Sequence, residues 1–99
     1  MDKKEKLNKI VEQLKPIINS ENNHSNIRIF QSEINKDDVM TITLYGGLNG
    51  NGEWKNYFKD LANIFEEIEK QGYNVWVIKI TNDCLDDVFN CLIGIGEQN

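Results

Sequence analysis

Three places in this sequence hold residue types that could do chemistry. The first is LYGGLNGNGEW, residues 44–54, which contains four of the chain's seven glycines. A strand, a glycine-rich loop and a helix in that order can cradle phosphate, because backbone amides and a helix N-terminus then face the anion. A G-x-x-x-x-G-K-[ST] loop also needs its lysine to neutralise phosphate and its hydroxyl to hold magnesium. Gly47 and Gly52 have the glycine spacing, but Glu53 and Trp54 stand at the two functional positions. A carboxylate there competes for the same amides and repels an anion. The dinucleotide spacing G-x-G-x-x-G is missing as well. The stretch therefore reads as a corner whose Gly and Asn residues tolerate positive φ. Nucleotide binding by the Gly46–Gly52 loop is the lesser alternative. Leu48 at the tip, with Asn49 and Asn51, is a candidate partner contact.

The second place is acidic. Asp83, Asp86 and Asp87 share one face with Asn90 if the segment is helical, with no lysine near them in sequence. Acids in a first helical turn are favoured by the helix dipole, and an acidic patch can also meet a basic partner. A cation site would need further oxygen ligands from elsewhere. The third place is the set of single nucleophiles and bases. His24 is the only histidine and lies in the polar stretch ENNHSN, while Cys84 and Cys91 are the only cysteines. Seven residues apart on a helix, two cysteines are roughly 10 Å apart, beyond disulfide reach. They read as reduced core thiols, and a Cys/His zinc set is not available. Ser20, Ser25 and Ser32 have no accompanying motif. No nucleophile, metal or cofactor is nominated, and the chain is expected not to be an enzyme.

The elements that would position these residues follow from periodicity. Leu7, Ile10, Val11, Leu14, Ile17 and Ile18 fall on one helical face. Pro16 is expected to kink that helix, or to end it near Leu14. NIRIFQSEI and DVMTITLY are rich in β-branched and aromatic residues, and the short polar turn NKD between them predicts an antiparallel hairpin. The clearest helix runs from about Glu53 to Gln71. It has Trp54, Tyr57, Phe58, Leu61, Ile64, Phe65 and Ile68 on one side and Gly72 as its stop. YNVWVIKI follows as a strand apolar on both faces, expected to return parallel to the strand before the helix. TNDCLDDVFNCLIGIG is predicted as a helix from near Thr81, with an edge strand over NCLIGIG as the alternative.

The resulting expectation is one α+β domain over residues 1–99. It is a two-layer sandwich in the order α-β-β-α-β-α, with a three-stranded mixed sheet covered by helices. In the hairpin, Met40, Ile42 and Leu44 face the helices. Val39, Thr41, Thr43 and Tyr45 face away, on a side too apolar to be plainly wet.

Charge narrows the partner. The chain carries 11 basic and 16 acidic side chains, net −5. Residues 1–36 hold seven basic and five acidic groups, net +2, and residues 37–99 hold four and eleven, net −7. Such a surface repels phosphate backbones, so direct nucleic-acid binding is not expected. There is no apolar run of membrane-span length and no signal-type apolar block, so the sequence predicts a cytoplasmic protein. The function expected from residues alone is a small acidic protein-binding module, of inhibitor or immunity type, acting on a basic, nucleic-acid-handling partner. Asp83, Asp86, Asp87, Leu48, Asn49 and Asn51 are the predicted contacts. A structural homodimer through the open sheet face is the alternative.

Overall fold

A computed structural model describes residues 2–19, 25–47, 54–83 and 88–98. Six elements occur among the described residues: α1 (Lys3–Ile18), β1 (Arg28–Ile34), β2 (Met40–Gly47), α2 (Trp54–Lys70), β3 (Tyr73–Asp83) and β4 (Val88–Glu97). Asp2 caps α1 by accepting the Glu5 N–H at 2.8 Å, the usual way to satisfy an orphan donor at a helix start. Pro16 does not end the helix near Leu14, one of the two outcomes the sequence predicted; α1 runs to Ile18, and the Asn19 N–H bonds the Lys15 carbonyl at 2.9 Å. Proline sits here in the last turn, where Ile17 packs against the core and Ile18 is buried in it. α2 ends as expected, at Gly72 with φ 96°, a conformation that costs glycine little.

The sheet is the largest correction to the sequence reading. It has four strands in the order β1-β2-β4-β3, and every neighbouring pair is antiparallel. Where the stretch predicted as a helix from near Thr81 is described, it is strand: Thr81–Asp83 end β3 and Val88–Glu97 is β4, so the strand alternative over NCLIGIG holds, although β4 lies inside the sheet and not at its edge. β2 and β3 do run in the same direction, as predicted, but β4 lies between them, so the sheet is not mixed. The physical reason lies in alternation. Cys91, Ile93 and Ile95 are buried at every second position, which is the period of a strand and not of a helix.

The order also shows a repeat that residue identities hide. α1-β1-β2 and α2-β3-β4 are two helix–edge–centre units, joined where the central strands pair from Met40↔Ile95 to Gly47↔Val88. One core serves both units. Leu7, Ile10, Leu14 and Ile18 of α1 meet Tyr57, Leu61, Ile64 and Ile68 of α2 above Met40, Ile42, Leu44, Cys91, Ile93 and Ile95. The helices thus cover one face of the sheet.

Candidate interaction surface

The glycine stretch can be judged where it is described. A Cβ on Gly46 would stand 2.5 Å from the Tyr57 ring, a separation real side chains do not allow. Gly46 therefore lets Tyr57 lie flat against β2, where the Tyr57 hydroxyl donates to the Leu44 carbonyl at 2.9 Å. Tyr57 also stacks on Phe89 with centroids 5.1 Å apart, and Phe58 meets Phe89 edge-on at 5.7 Å. This glycine serves packing. Leu48, Asn49 and Asn51 lie outside the described residues, as do Asp86, Asp87, His24 and Cys84. Asp83 ends β3, and its backbone register places it beside Val88, which in turn pairs with Gly47. The flanks of the two predicted contact segments therefore meet at one end of the sheet.

Cys91 is free and buried, and burial pushes its thiol up to about 11. Such a thiol is a core filler, not a nucleophile. Among the described residues, no group of three or more His, Cys, Asp or Glu could hold a metal ion, and no helix is long and apolar enough to cross a membrane.

One acidic residue that periodicity did not flag is buried. Asp60 of α2 accepts the Ser25 N–H at 2.9 Å and the Ser25 hydroxyl as well. It lies on a groove of about 400 Å³ together with Pro16, Ile17, Glu66, Glu67 and Lys70. The Asp60 carboxylate is committed to the chain preceding β1, so it works as a clasp. The sequence signal was present: Asp60 stands beside Leu61 on the apolar side of the α2 pattern.

The apolar side chains left outside the core point elsewhere. Among the described residues, six large ones are exposed: Phe30, Phe58, Trp76, Val77, Ile78 and Ile80. Four of the six fall on one strand, between residues 76 and 80 of β3, and each of those four is more than two-fifths exposed. β3 is an edge strand, hydrogen-bonded to β4 on one side. Its side chains alternate around that edge. Trp76 is paired with Gly94 and lies on the open face, where its ring rests on Gly94 and Gly96. A Cβ on Gly94 would come within 2.5 Å of that ring. Across the ladder from Gly94, Thr41 is buried although it faces away from the helices. Val77 and Ile80 pair with Ile93 and Cys91, on the helix side. Ile78 is the extra residue of a bulge, where the register shifts between Val77 and Lys79. The other edge strand is built alike, with a shift between Ile29 and Gln31 that leaves Phe30 as the extra residue. Phe30 meets Tyr45 edge-on at 6.0 Å. A bulge on an edge strand breaks the row of pairing groups and turns the strand. At β3 apolar side chains stand on both faces beside that bulge, Trp76 on the open face and Val77 and Ile80 on the helix side.

The open face is expected from the sequence to be too apolar to be plainly wet, which calls for a cover from the C-terminal segment or from another chain. The C-terminal segment is a strand of the sheet itself, and so it does not cover that face.

No family model matches the chain, and no curated protein matches it in sequence. Among solved structures it is similar to the crystal structure of the periplasmic domain of XcpY. The TM-score is 0.55 at 12% identity, with 89% of this chain and 96% of that one covered. At that identity the likeness is one of fold, an α+β arrangement over nearly the full length of both chains. The expectation of a cytoplasmic, immunity-type protein is overturned by this comparison, since the fold it finds is that of a periplasmic domain.

Proposed function

We propose that this chain is a protein-interaction module, without bond-making chemistry of its own, that docks a partner along the β3 edge. The observation that carries the reading is the concentration of exposed Trp76, Val77, Ile78 and Ile80 on a single edge that no other strand of the described residues pairs. Patches that combine a Trp anchor, neighbouring aliphatics and free backbone pairing groups are what partner strands and apolar segments bind. The solved domain with this fold is periplasmic, so the reading extends to a setting outside the cytoplasm. Fractionation of the host cell tests that extension, and recovery in the cytosol alone removes it.

The docking reading is tested by recovering bound proteins with a tagged chain and comparing it with Ile78→Lys/Ile80→Lys. Both side chains are exposed, so unfolding should shift by no more than about 0.5 kcal/mol per site. The partner is expected to be lost from that variant and kept by Glu66→Lys on the helix layer. A partner that stays bound to the doubly charged edge defeats the reading.

A further inference from the structure

We infer that the occupant of the β3 edge is a second copy of this chain, paired strand to strand and antiparallel over Lys79–Asp83. The inference rests on the reading of β3 as the docking edge and adds to it the identity of the partner.

The bulge decides where pairing can be regular. It divides β3 into Tyr73–Val77 and Lys79–Asp83. The first segment is encumbered, since the Tyr73 carbonyl already accepts from Gln98 Nε2 at 3.1 Å and both Tyr73 and Val75 pack against the core. The second, read Lys-Ile-Thr-Asn-Asp, is complementary to itself. A two-fold axis at Thr81 sets Thr81 across from Thr81, Ile80 across from Asn82, and Lys79 across from Asp83 twice.

Facing also agrees. Lys79 and Thr81 pair with Leu92 and Asn90, and so occupy open-face positions, the backbone of Asp83 continues that register beside Val88, and Ile80 and Asn82 pair with Cys91 and Phe89 on the helix side. Directly opposed residues of an antiparallel pair must share a face, and this register meets that condition at every position. Thr–Thr pairs and opposite charges are favoured cross-strand neighbours, and like charges directly opposed are not. The single lysine of this edge, which would repel an arbitrary basic strand, is met here by an acid supplied by symmetry. Such a contact is isologous and closes on itself. It joins two four-stranded sheets into one of eight strands, within the range of open sheets.

The test uses the full chain in three arms. Sedimentation over a range of concentrations should give a dimer. Lys79→Asp, which sets acid against acid, should weaken association by about tenfold, and Lys79→Asp/Asp83→Lys should restore it. In a Cys84→Ser background, Thr81→Cys should form a covalent dimer on mild oxidation, because α-carbons of directly opposed strand residues lie about 4.5–5.5 Å apart, within disulfide reach. Gln31→Cys on the other edge should not. A monomer at all concentrations overturns the inference, as does a dimer indifferent to both charge variants. A photo-crosslinker at Ile80 in the host separates this failure from that of the docking reading. An adduct of twice the chain's mass supports self-pairing. An adduct with a different protein from a monomeric chain overturns self-pairing and leaves the docking reading standing. No adduct of any kind removes both.

Discussion

Three single residues carry measurable weight. Asp60 holds Ser25 inside the fold. Asp60→Ala would leave a buried N–H and a buried hydroxyl without that acceptor, and is expected to lower the unfolding free energy by about 1–3 kcal/mol. Asp60→Asn, which keeps an acceptor oxygen, should cost less; urea titration of the two variants side by side checks the order. Cys91 and Tyr57 set the alkaline limit. Burial raises both of their pKa values, Cys91 from 9.0 to about 11 and Tyr57 well above its ordinary range. An acid whose proton is held more tightly in the folded state contributes its full share of stability below its unfolded pKa, and loses it as pH climbs toward the folded value. Stability should therefore fall between about pH 9 and pH 11, by at most about 1.4 kcal/mol per pH unit for one such group. Cys91→Ala should flatten the thiol's part of that slope in denaturant midpoints measured across pH. In the native state below pH 9, Cys91 should resist alkylation, as read by mass.

At the scale of elements, five of the six were legible from spacing. The hairpin β1–β2, the strand β3 and the two helices follow local rules: alternation, a polar turn, an apolar stripe and a glycine stop. β4 was legible only as the lesser alternative to a helix, for a reason that can be located. Cys84, Leu85, Val88, Cys91 and Leu92 imitate a helical stripe. Gly94 and Gly96 weaken the strand signal just where the strand is longest, since glycine is a poor strand former. Those glycines are explained by Trp76, whose ring lies on them, and so by a residue far upstream in sequence. A window moved along the chain cannot see such a pairing. Gly94→Ala is expected to push the Trp76 ring off β4 and to destabilise the sheet by about 1–3 kcal/mol. Tryptophan emission should shift to the red, read in a Trp54→Phe background. Of the candidate contact residues, Asp83 falls at the end of the strand that forms the proposed docking edge. The apolar stretch before it was noticed in the sequence for its two-sided character, but which strand would be left at the edge depends on sheet order, and sheet order is not a local property.

The whole molecule is two like halves with one seam. Each half is a helix with a hairpin-joined pair of strands, and the central strands pair along Met40–Gly47 and Val88–Ile95. Neither half can bury its sheet face or its helix stripe without the other, because Ile42, Leu44, Cys91 and Ile93 are fully enclosed in the joint core. Unfolding should consequently be all-or-none, with far-UV circular dichroism and tryptophan emission tracing one transition. A chain cut to residues 1–47 should show no cooperative transition. Two separated transitions in the full chain would mean that the seam is weaker than its packing indicates.

The position of β4 has a consequence for biogenesis. The strand made after all the others is inserted between two that were made earlier. While a ribosome is still delivering residues 88–97, the β1–β2 hairpin has its inner flank bare and β3 lacks the one described strand that pairs with it. The fold is thus zipped shut from the middle, in one late step, and until then the nascent chain offers unsatisfied strand flanks to any chaperone, or any other unfinished chain, within reach.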